Sequence, residues 1–434
     1  MKFKLSILLH YFLFRIRNDQ KKSRSKLEKI QQKKLHRLRR FLAQSPFYKE
    51  MVHQNFKLKD FPIINKEVFI KNFDDINTAG IVKSEAMKVA MHTEQSRDFS
   101  ASIKNITIGL STGTSGNKGI FLANEKERAK WVAAMLHRVV GFSLKKRKVA
   151  FFLRANSKLY ESSNSRILQF NFFDLLKAHA ENFNRLVDLN ADILIAQPSA
   201  LVKIAKSYLS QQLRPGFTKV ISVAEVLDQS DKQFLEKVFI LKLDEVYQCT
   251  EGFLASSCSL GNLHFNEDFL IIEKEYLDDE KKRYHPIITD LYRHTQPVIR
   301  YKLDDILMEG EACNCGSSFD VIKQIEGRAD DVIRLENSAG ELVDIYPDFF
   351  SRAITMASDD ISYYELIQTG KDVLELFFEQ SKENQHLKML ITESIESLLS
   401  KFNIKQIKIK FSETQTLKNG AKLRRIRNEY FKAR

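Results

Sequence analysis

Residues 219–252 read KVISVAEVLDQSDKQFLEKVFILKLDEVYQCTEG. The first nine are mostly apolar, with β-branched Val220, Ile221, Val223 and Val226, as in a buried strand. DQSDKQFLEKVF then places Phe234, Leu235, Val238 and Phe239 at helical spacing, and LDEVYQCTEG is a strand running into a loop. Strand, helix, strand without a hairpin signal implies a parallel pair joined by a crossover helix. Upstream the pattern repeats: KVAFFLRA (148–155) and DILIA (192–196) read as buried strands, and Pro198 opens an amphipathic helix through Gln212. In such sheets ligands sit beyond the carboxyl ends of the strands, which here include the YQCTEG loop.

Moving outward, residues 263–307 are strand-rich, with TDLYRHTQPVIRYKLDD (289–305) supplying short strands and turns. After Arg328 the texture becomes a small α+β unit. ISYYELIQTG (361–370) and DVLELFFEQ (372–380) form a hairpin, a helix covers about 383–401, and IKQIKIKF (404–411) is a final alternating strand. The expected architecture is α/β. A large N-terminal domain, 1–327, combines parallel βαβ units with a strand-rich subdomain, and a small α+β domain occupies 328–434.

Composition sets bounds. At 434 residues, 43% hydrophobic and 29% charged, the chain is expected to fold as a soluble protein of two or three domains, and no internal repeat is visible. The net charge of +14 points to polyanionic ligands without choosing among nucleotide, coenzyme, nucleic acid or lipid. Much of that charge lies in 20–40, where Leu27, Ile30, Leu35 and Leu38 recur at helical spacing; this reads either as a solvated helix packed on one side or as contact with an acidic partner. KLSILLHYFLFRI (4–16) is too short to span a bilayer and lacks a signal cleavage site. It reads as a helix docked on the body, with membrane-surface contact as the alternative. Four cysteines form no disulfide framework, so a reducing, cytoplasmic setting is expected.

The loop Ser111-Thr112-Gly113-Thr114-Ser115-Gly116-Asn117-Lys118-Gly119 lies between two strand-like runs, NITIGL and IFLA. A Walker loop would open directly into a helix; here the helix starts only at Asn124, with Glu127 as capping-box partner. What remains is a hairpin tip rich in glycine amides and hydroxyls, suited to an anion, or else a mobile turn. Downstream follow Tyr247-Gln248-Cys249-Thr250-Glu251, Arg300-Tyr301-Lys302-Leu303-Asp304-Asp305, Gly327-Arg328-Ala329-Asp330-Asp331 and Asn419-Gly420-Ala421-Lys422-Leu423-Arg424.

In this order the five runs resemble the adenylate-forming (ANL) superfamily, within it the phenylacetate-coenzyme A ligase-like and deazaflavin-coenzyme adenylating synthetase-like branch. The resemblance spans essentially the whole chain and implies ATP-dependent activation of a carboxylic acid as acyl-adenylate, with release of pyrophosphate. Transfer to a thiol of coenzyme A or a carrier protein would follow. It implies that Ser111, Thr112, Gly113, Thr114, Ser115 and Gly116 cradle ATP phosphates. Glu251 with Thr250 would hold Mg2+. Tyr247 and the strand end Ala224-Glu225 would flank adenine, and Asp305 would grip the ribose. Lys422 would bridge the carboxylate and the α-phosphate, with Lys418 competing for that role. Arg328 belongs to the nucleotide site or, with Asp305, to an interdomain salt bridge; Asp330 takes the hinge position of a mobile lid domain. Lys118 departs from the family's Gly-x-Pro-Lys-Gly, so hydroxyls and amides carry the phosphate grip. Phe170, Phe172 and Phe173 read either as plain core or as the wall of a pocket for an apolar or aromatic acid.

Cys258, His264, Cys313 and Cys315 make a Cys3His set for structural Zn2+, as the resemblance also implies, or are unrelated reduced cysteines. Two other functions compete: nucleotidyl transfer without thioester formation, and a basic protein binding nucleic acid or membrane surface through 20–40 with a degenerate nucleotide site.

Overall fold

Five parallel strands form the centre of the larger unit, in spatial order Leu168–Asp174, Arg147–Leu153, Ile193–Ala196, Lys219–Val223 and Leu243–Cys249. The structure, a computed structural model, describes residues 2–96, 101–110, 119–141, 143, 145–153, 167–358, 361, 363–379, 385–404, 407–412 and 423–431. The parallel strands are near-continuous apolar runs because crossover helices cover them. Ile193, Leu194, Ala196, Val220 and Ile221 are fully buried. Pro198 stands at the start of helix Pro198–Ser210, which buries Leu201, Ile204, Ala205 and Tyr208. Helix Gln229–Phe239 buries Leu235 and Phe239.

The edge strand Leu168–Asp174 is new relative to the sequence reading. Its phenylalanines pack on the neighbouring strand: Phe173 is fully buried and stacks on Phe152 at 4.4 Å, and Phe170 meets Phe151 at 4.9 Å. Phe173 is therefore core, whereas Phe170 and Phe172 are only partly buried.

Antiparallel strands Gly252–Ser257 and Leu263–Phe265 continue the sheet beyond Leu243–Cys249. Leu270–Tyr276, Arg283–Asp290 and Tyr301–Lys302 pair antiparallel in the same unit. A separate three-stranded sheet contains the hairpin Ile106–Leu110 and Ile120–Ala123, with Leu110 opposite Ile120. The expected strands flanking the hydroxyl-rich loop are thus present; residues 111–118 lie outside the described residues. Helix Glu125–Met135 begins with the expected capping box of Asn124 and Glu127. Helix Arg24–Leu42 buries Leu27, Leu35 and Leu38 and leaves most of its lysines and arginines exposed. No helix among the described residues is long and apolar enough to cross a membrane.

The chain divides into two compact units. The first comprises Met1–Ala224, Asp231–Leu303 and Glu309–Lys323; the second is Gln324–Arg434 with Glu225–Ser230 and Asp304–Met308. In the second unit a sheet runs in the order Lys408–Phe411, Val373–Phe378, Tyr364–Gly370, Ile426–Asn428. Helices Pro347–Ala357 and Gln385–Ser400 contribute Phe350, Ile354, Ile391 and Ile395 to its core. The division falls four residues before the expected boundary and adds two short segments from earlier in the chain.

Candidate functional site

In the larger unit, strand Leu243–Cys249 ends at Thr250-Glu251, and a register shift at Tyr247/Gln248 twists the exit from the sheet. Thr250 Oγ1 donates to Glu251 Oε2 at 2.8 Å, and the Tyr301 hydroxyl donates to Glu251 Oε1 at 3.0 Å. Each carboxylate oxygen thus accepts one hydroxyl, which fixes the carboxylate while leaving lone pairs for a hard cation. Arg293 Nη1 donates to the Thr250 carbonyl at 2.6 Å and Nη2 to Gln296 Oε1 at 2.7 Å.

Gln296 passes this order to the hairpin. Its Oε1 also accepts from the Leu122 amide at 3.0 Å, and its Nε2 donates to the Ile120 carbonyl at 3.1 Å. The strand leaving the hydroxyl-rich loop is therefore held in register with Thr250 and Glu251. Glu127 reinforces this from the helix side, accepting from the Thr295 amide and hydroxyl, both at 2.7 Å. These contacts border a cleft whose walls include Lys66, Lys83, Gly119, Thr250, Glu251, Arg293 and Tyr301. Three cationic side chains and one carboxylate on one cleft suit a polyanion carrying a divalent metal.

Burial shifts two nearby groups. Asp290 is raised to about 6, by burial first; Arg293 and the amides of Tyr292 and Arg293 only partly oppose this. His294, stacked on Phe41 at 3.9 Å, is lowered to about 4 by burial and then by Lys130, Arg40 and Lys126. Tyr247 is buried on its strand, and Ala224 adopts φ 70° immediately after strand Lys219–Val223. A left-handed alanine is strained backbone, which marks this strand end as constrained by its surroundings. Arg300 forms a bidentate pair with Glu273, both contacts at 2.9 Å, and donates to the Phe61 carbonyl, a structural role.

In the second unit Asp304, Arg328, Asp330, Asp331 and Arg424, drawn from three of the sequence runs, come together. Arg328 pairs with Asp304 at 3.1 Å and with Asp330 at 3.4 Å. Burial works against its charge, but Asp330, Asp305 and Asp304 outweigh burial and raise its pKa. Arg424 pairs with Asp331 and, at 3.3 Å, with Asp330. Glu225 Oε1 accepts from the Leu423 amide at 3.0 Å, and Arg425 pairs with Asp228 at 2.8 Å. Both ends of the segment after Lys422 are thereby tied down; Lys418 and Lys422 themselves lie outside the described residues. Sequence reasoning missed Arg293, Gln296, Tyr301, Lys66, Lys83 and Arg424 as site residues; only the Arg-Tyr and Lys-x-Arg spacing hinted at two of them.

Cys258, His264, Cys313 and Cys315 bring their donor atoms within 4.8 Å of one another. Cys258 Sγ and Cys313 Sγ are 3.8 Å apart, and Cys315 Sγ and His264 Nε2 are 3.5 Å apart. A tetrahedral ion with metal–sulfur and metal–nitrogen bonds of ordinary zinc length requires edges of about 3.8 and 3.6 Å. His264 Nδ1 lies 2.9 Å from the Phe319 carbonyl, which sets Nδ1 as the donor and leaves Nε2 for the cluster. The Asn262 amide and the Cys315 N–H both point at Cys313 Sγ, at 3.1 and 3.4 Å. Burial raises the Cys313 pKa, but these donors and His264 outweigh burial and bring the thiol to about 6. The arrangement is that of a closed four-ligand site.

No protein-family model and no curated protein matches the sequence. Solved structures do. The chain aligns over 95% of its length, and 91% of the other chain, with a 2-hydroxyisobutyryl-CoA ligase in its postadenylation state bound to 2-HIB-AMP, at TM-score 0.70 and 16% identity. It aligns over 92% of both chains with the acyl acid amido synthetase AtGH3.15 in complex with 2,4-DB, at TM-score 0.61 and 12% identity. It aligns over 74% of its length, and 67% of the other chain, with the anthranilate CoA ligase AuaEII in complex with anthranoyl-AMP, at TM-score 0.52 and 13% identity. The chain has the fold of the adenylate-forming enzymes of the ANL superfamily.

Proposed function

We propose that the protein activates a carboxylic acid as its acyl-adenylate, releasing pyrophosphate, and then transfers the acyl group to a thiol such as that of coenzyme A. The observation that carries the reading is the cleft in which Glu251, braced by Thr250 and Tyr301, faces Lys66, Lys83 and Arg293 beside Gly119. Two of the similar structures are CoA ligases bound to acyl-AMP compounds, which supports the same first step here.

Attack of a carboxylate on the α-phosphorus brings anion to anion, so positioning and charge neutralisation dominate. In this reading Glu251 and Thr250 hold Mg2+, which neutralises phosphate charge when bound. The 111–116 hydroxyls and amides receive the β and γ oxygens. Arg293 keeps the Thr250 backbone and, through Gln296, the hairpin in place. Tyr247 and the Ala224-Glu225 strand end flank adenine, and Asp305 accepts from the ribose hydroxyls. Lys422 neutralises charge between the incoming carboxylate and the α-phosphate. Arg328, Asp330 and Arg424 form the ionic cluster of the smaller unit, on which its reorientation between half-reactions depends. Cys258, His264, Cys313 and Cys315 hold structural Zn2+, since all four ligands come from protein.

Incubating the protein with ATP, Mg2+ and a panel of carboxylic acids, then analysing the protein-bound fraction by mass spectrometry, tests the first step; an acyl-adenylate is expected. Adding coenzyme A or simple amines assigns the acceptor. Amide formation with no thioester would replace the second half of the proposal, and absence of any adenylate would overturn the first.

A further inference from the structure

Helix Lys2–Arg17, KFKLSILLHYFLFRIR, carries large apolar side chains on two opposite sides, yet only one of them is covered. Ile7, Tyr11 and Phe14 are buried, Tyr11 and Phe14 against His137 and Phe14 also against Phe269. Leu5, Leu8, Leu9, Phe12 and Ile16 remain 66%, 54%, 58%, 48% and 77% exposed. At 100° per residue these five fall within an arc of about 100°, so they form a continuous stripe rather than scattered surface residues. Exposed Lys4 and Arg15 stand at the margin of that arc, and the helix contains no acidic residue.

The charge of the chain is concentrated here. Residues 2–42 hold fourteen lysines and arginines against Asp19 and Glu28, a net +12 out of +14 for the whole chain. A stripe of large apolar side chains bordered by cations, on a helix of sixteen residues, matches an element lying in the plane of a bilayer interface. It is too short to cross the hydrocarbon core.

We propose that helix Lys2–Arg17 seats the protein on the surface of an anionic phospholipid bilayer, with Leu5, Leu8, Leu9, Phe12 and Ile16 at the acyl boundary and Lys4 and Arg15 on lipid phosphates. A second copy of the chain is disfavoured as occupant, because a symmetric contact through this stripe would bring the cations of two copies together with no acidic partner on either helix. A nucleic acid would use the charge but leave five apolar side chains in water. The inference is independent of the adenylation chemistry.

Vesicle flotation of the full chain tests it, with phosphatidylcholine vesicles containing or lacking about one third phosphatidylglycerol. The wild type is expected to float with the anionic vesicles. L5Q/L9Q/F12Q/I16Q, which removes only exposed side chains, should weaken partitioning at least about tenfold at low salt. K4E/R15E should weaken it on anionic vesicles. Leu9→Trp gives a second readout that keeps the apolar stripe: its emission, above the Trp131 baseline of the wild type, should shift to the blue on anionic vesicles. Wild-type protein remaining with the aqueous phase, or equal partitioning of the Gln variant, overturns the proposal. So does gel filtration showing that the Gln substitutions convert a dimer to a monomer, or competition by duplex DNA that depends on the cations but not on the stripe.

Discussion

Replacing Gln296 by alanine removes the amide that joins the Glu251 region to the hairpin. Its side chain is almost fully buried and makes three hydrogen bonds: from Leu122 N at 3.0 Å, from Arg293 Nη2 at 2.7 Å, and to the Ile120 carbonyl at 3.1 Å. A neutral hydrogen bond contributes about 1 kcal/mol net and one to a charged donor about 1.5–3 kcal/mol, so the loss is about 3–5 kcal/mol. For a cooperative unit of several hundred residues, 1 kcal/mol corresponds to about 1.5 °C, giving a fall in the thermal midpoint of roughly 5–8 °C. Gln296→Glu keeps an acceptor for Leu122 and Arg293 but sets a carboxylate oxygen against the Ile120 carbonyl, so it should recover only part of that stability. In steady-state kinetics the KM for ATP should rise in Gln296→Ala more than the KM for the acid, because Ile120 and Leu122 belong to the strand leaving 111–118. Scanning calorimetry and nucleotide titrations measure both. A midpoint within about 1 °C of the wild type, or a rise confined to the acid KM, would refute the view that Gln296 ties the hairpin to the site.

Three further outcomes are expected. His294, depressed to about 4 in the fold, binds fewer protons than in the unfolded chain between pH 6.5 and 4, so its contribution to stability is present above pH 6.5 and is lost as pH falls through 4. Urea midpoints of His294→Gln should therefore decline less steeply over that interval than those of the wild type; parallel curves would count against the assignment. Gly109 faces Phe121 across the hairpin, and a Cβ there would sit 2.1 Å from the ring. Gly109→Ala should cost about 1–3 kcal/mol, and Gly109→Ala/Phe121→Leu should recover most of it; urea denaturation of both tests this overpacking. Cys258→Ser should lower bound zinc, measured by elemental analysis of chelator-free protein, to well below one equivalent and reduce the thermal midpoint. Wild-type protein with less than about half an equivalent of zinc would contradict the closed Cys3His reading.

The parallel strands were legible because each is a short apolar run separated from the next by an amphipathic helix, a pattern that no antiparallel hairpin produces. The Asn124-Glu127 capping box and the strands around 111–118 were legible because cap and turn chemistry is local. The strand Leu168–Asp174 was not, because its alternation of Gln169 and Asn171 with phenylalanine gives it the look of a pocket wall as much as of a sheet edge. Arg293 and Gln296 escaped notice for a different reason: each is a single polar residue in a strand-rich stretch, and its role exists only once three elements converge. Arg424 was seen only as spacing beside Lys422, whereas its partners Asp330 and Asp331 lie almost a hundred residues earlier. The exposed stripe of helix Lys2–Arg17 was hidden because apolar residues lie on two sides of the helix, and the sequence does not say which side is covered.

ATP–pyrophosphate exchange, run with a panel of carboxylic acids on wild type, Glu251→Gln and Lys422→Ala, tests the adenylation reading most directly. At least one acid should support exchange by the wild type, and each substitution should reduce it by about a hundredfold or more. No exchange with any acid, or full exchange by both variants, would contradict it.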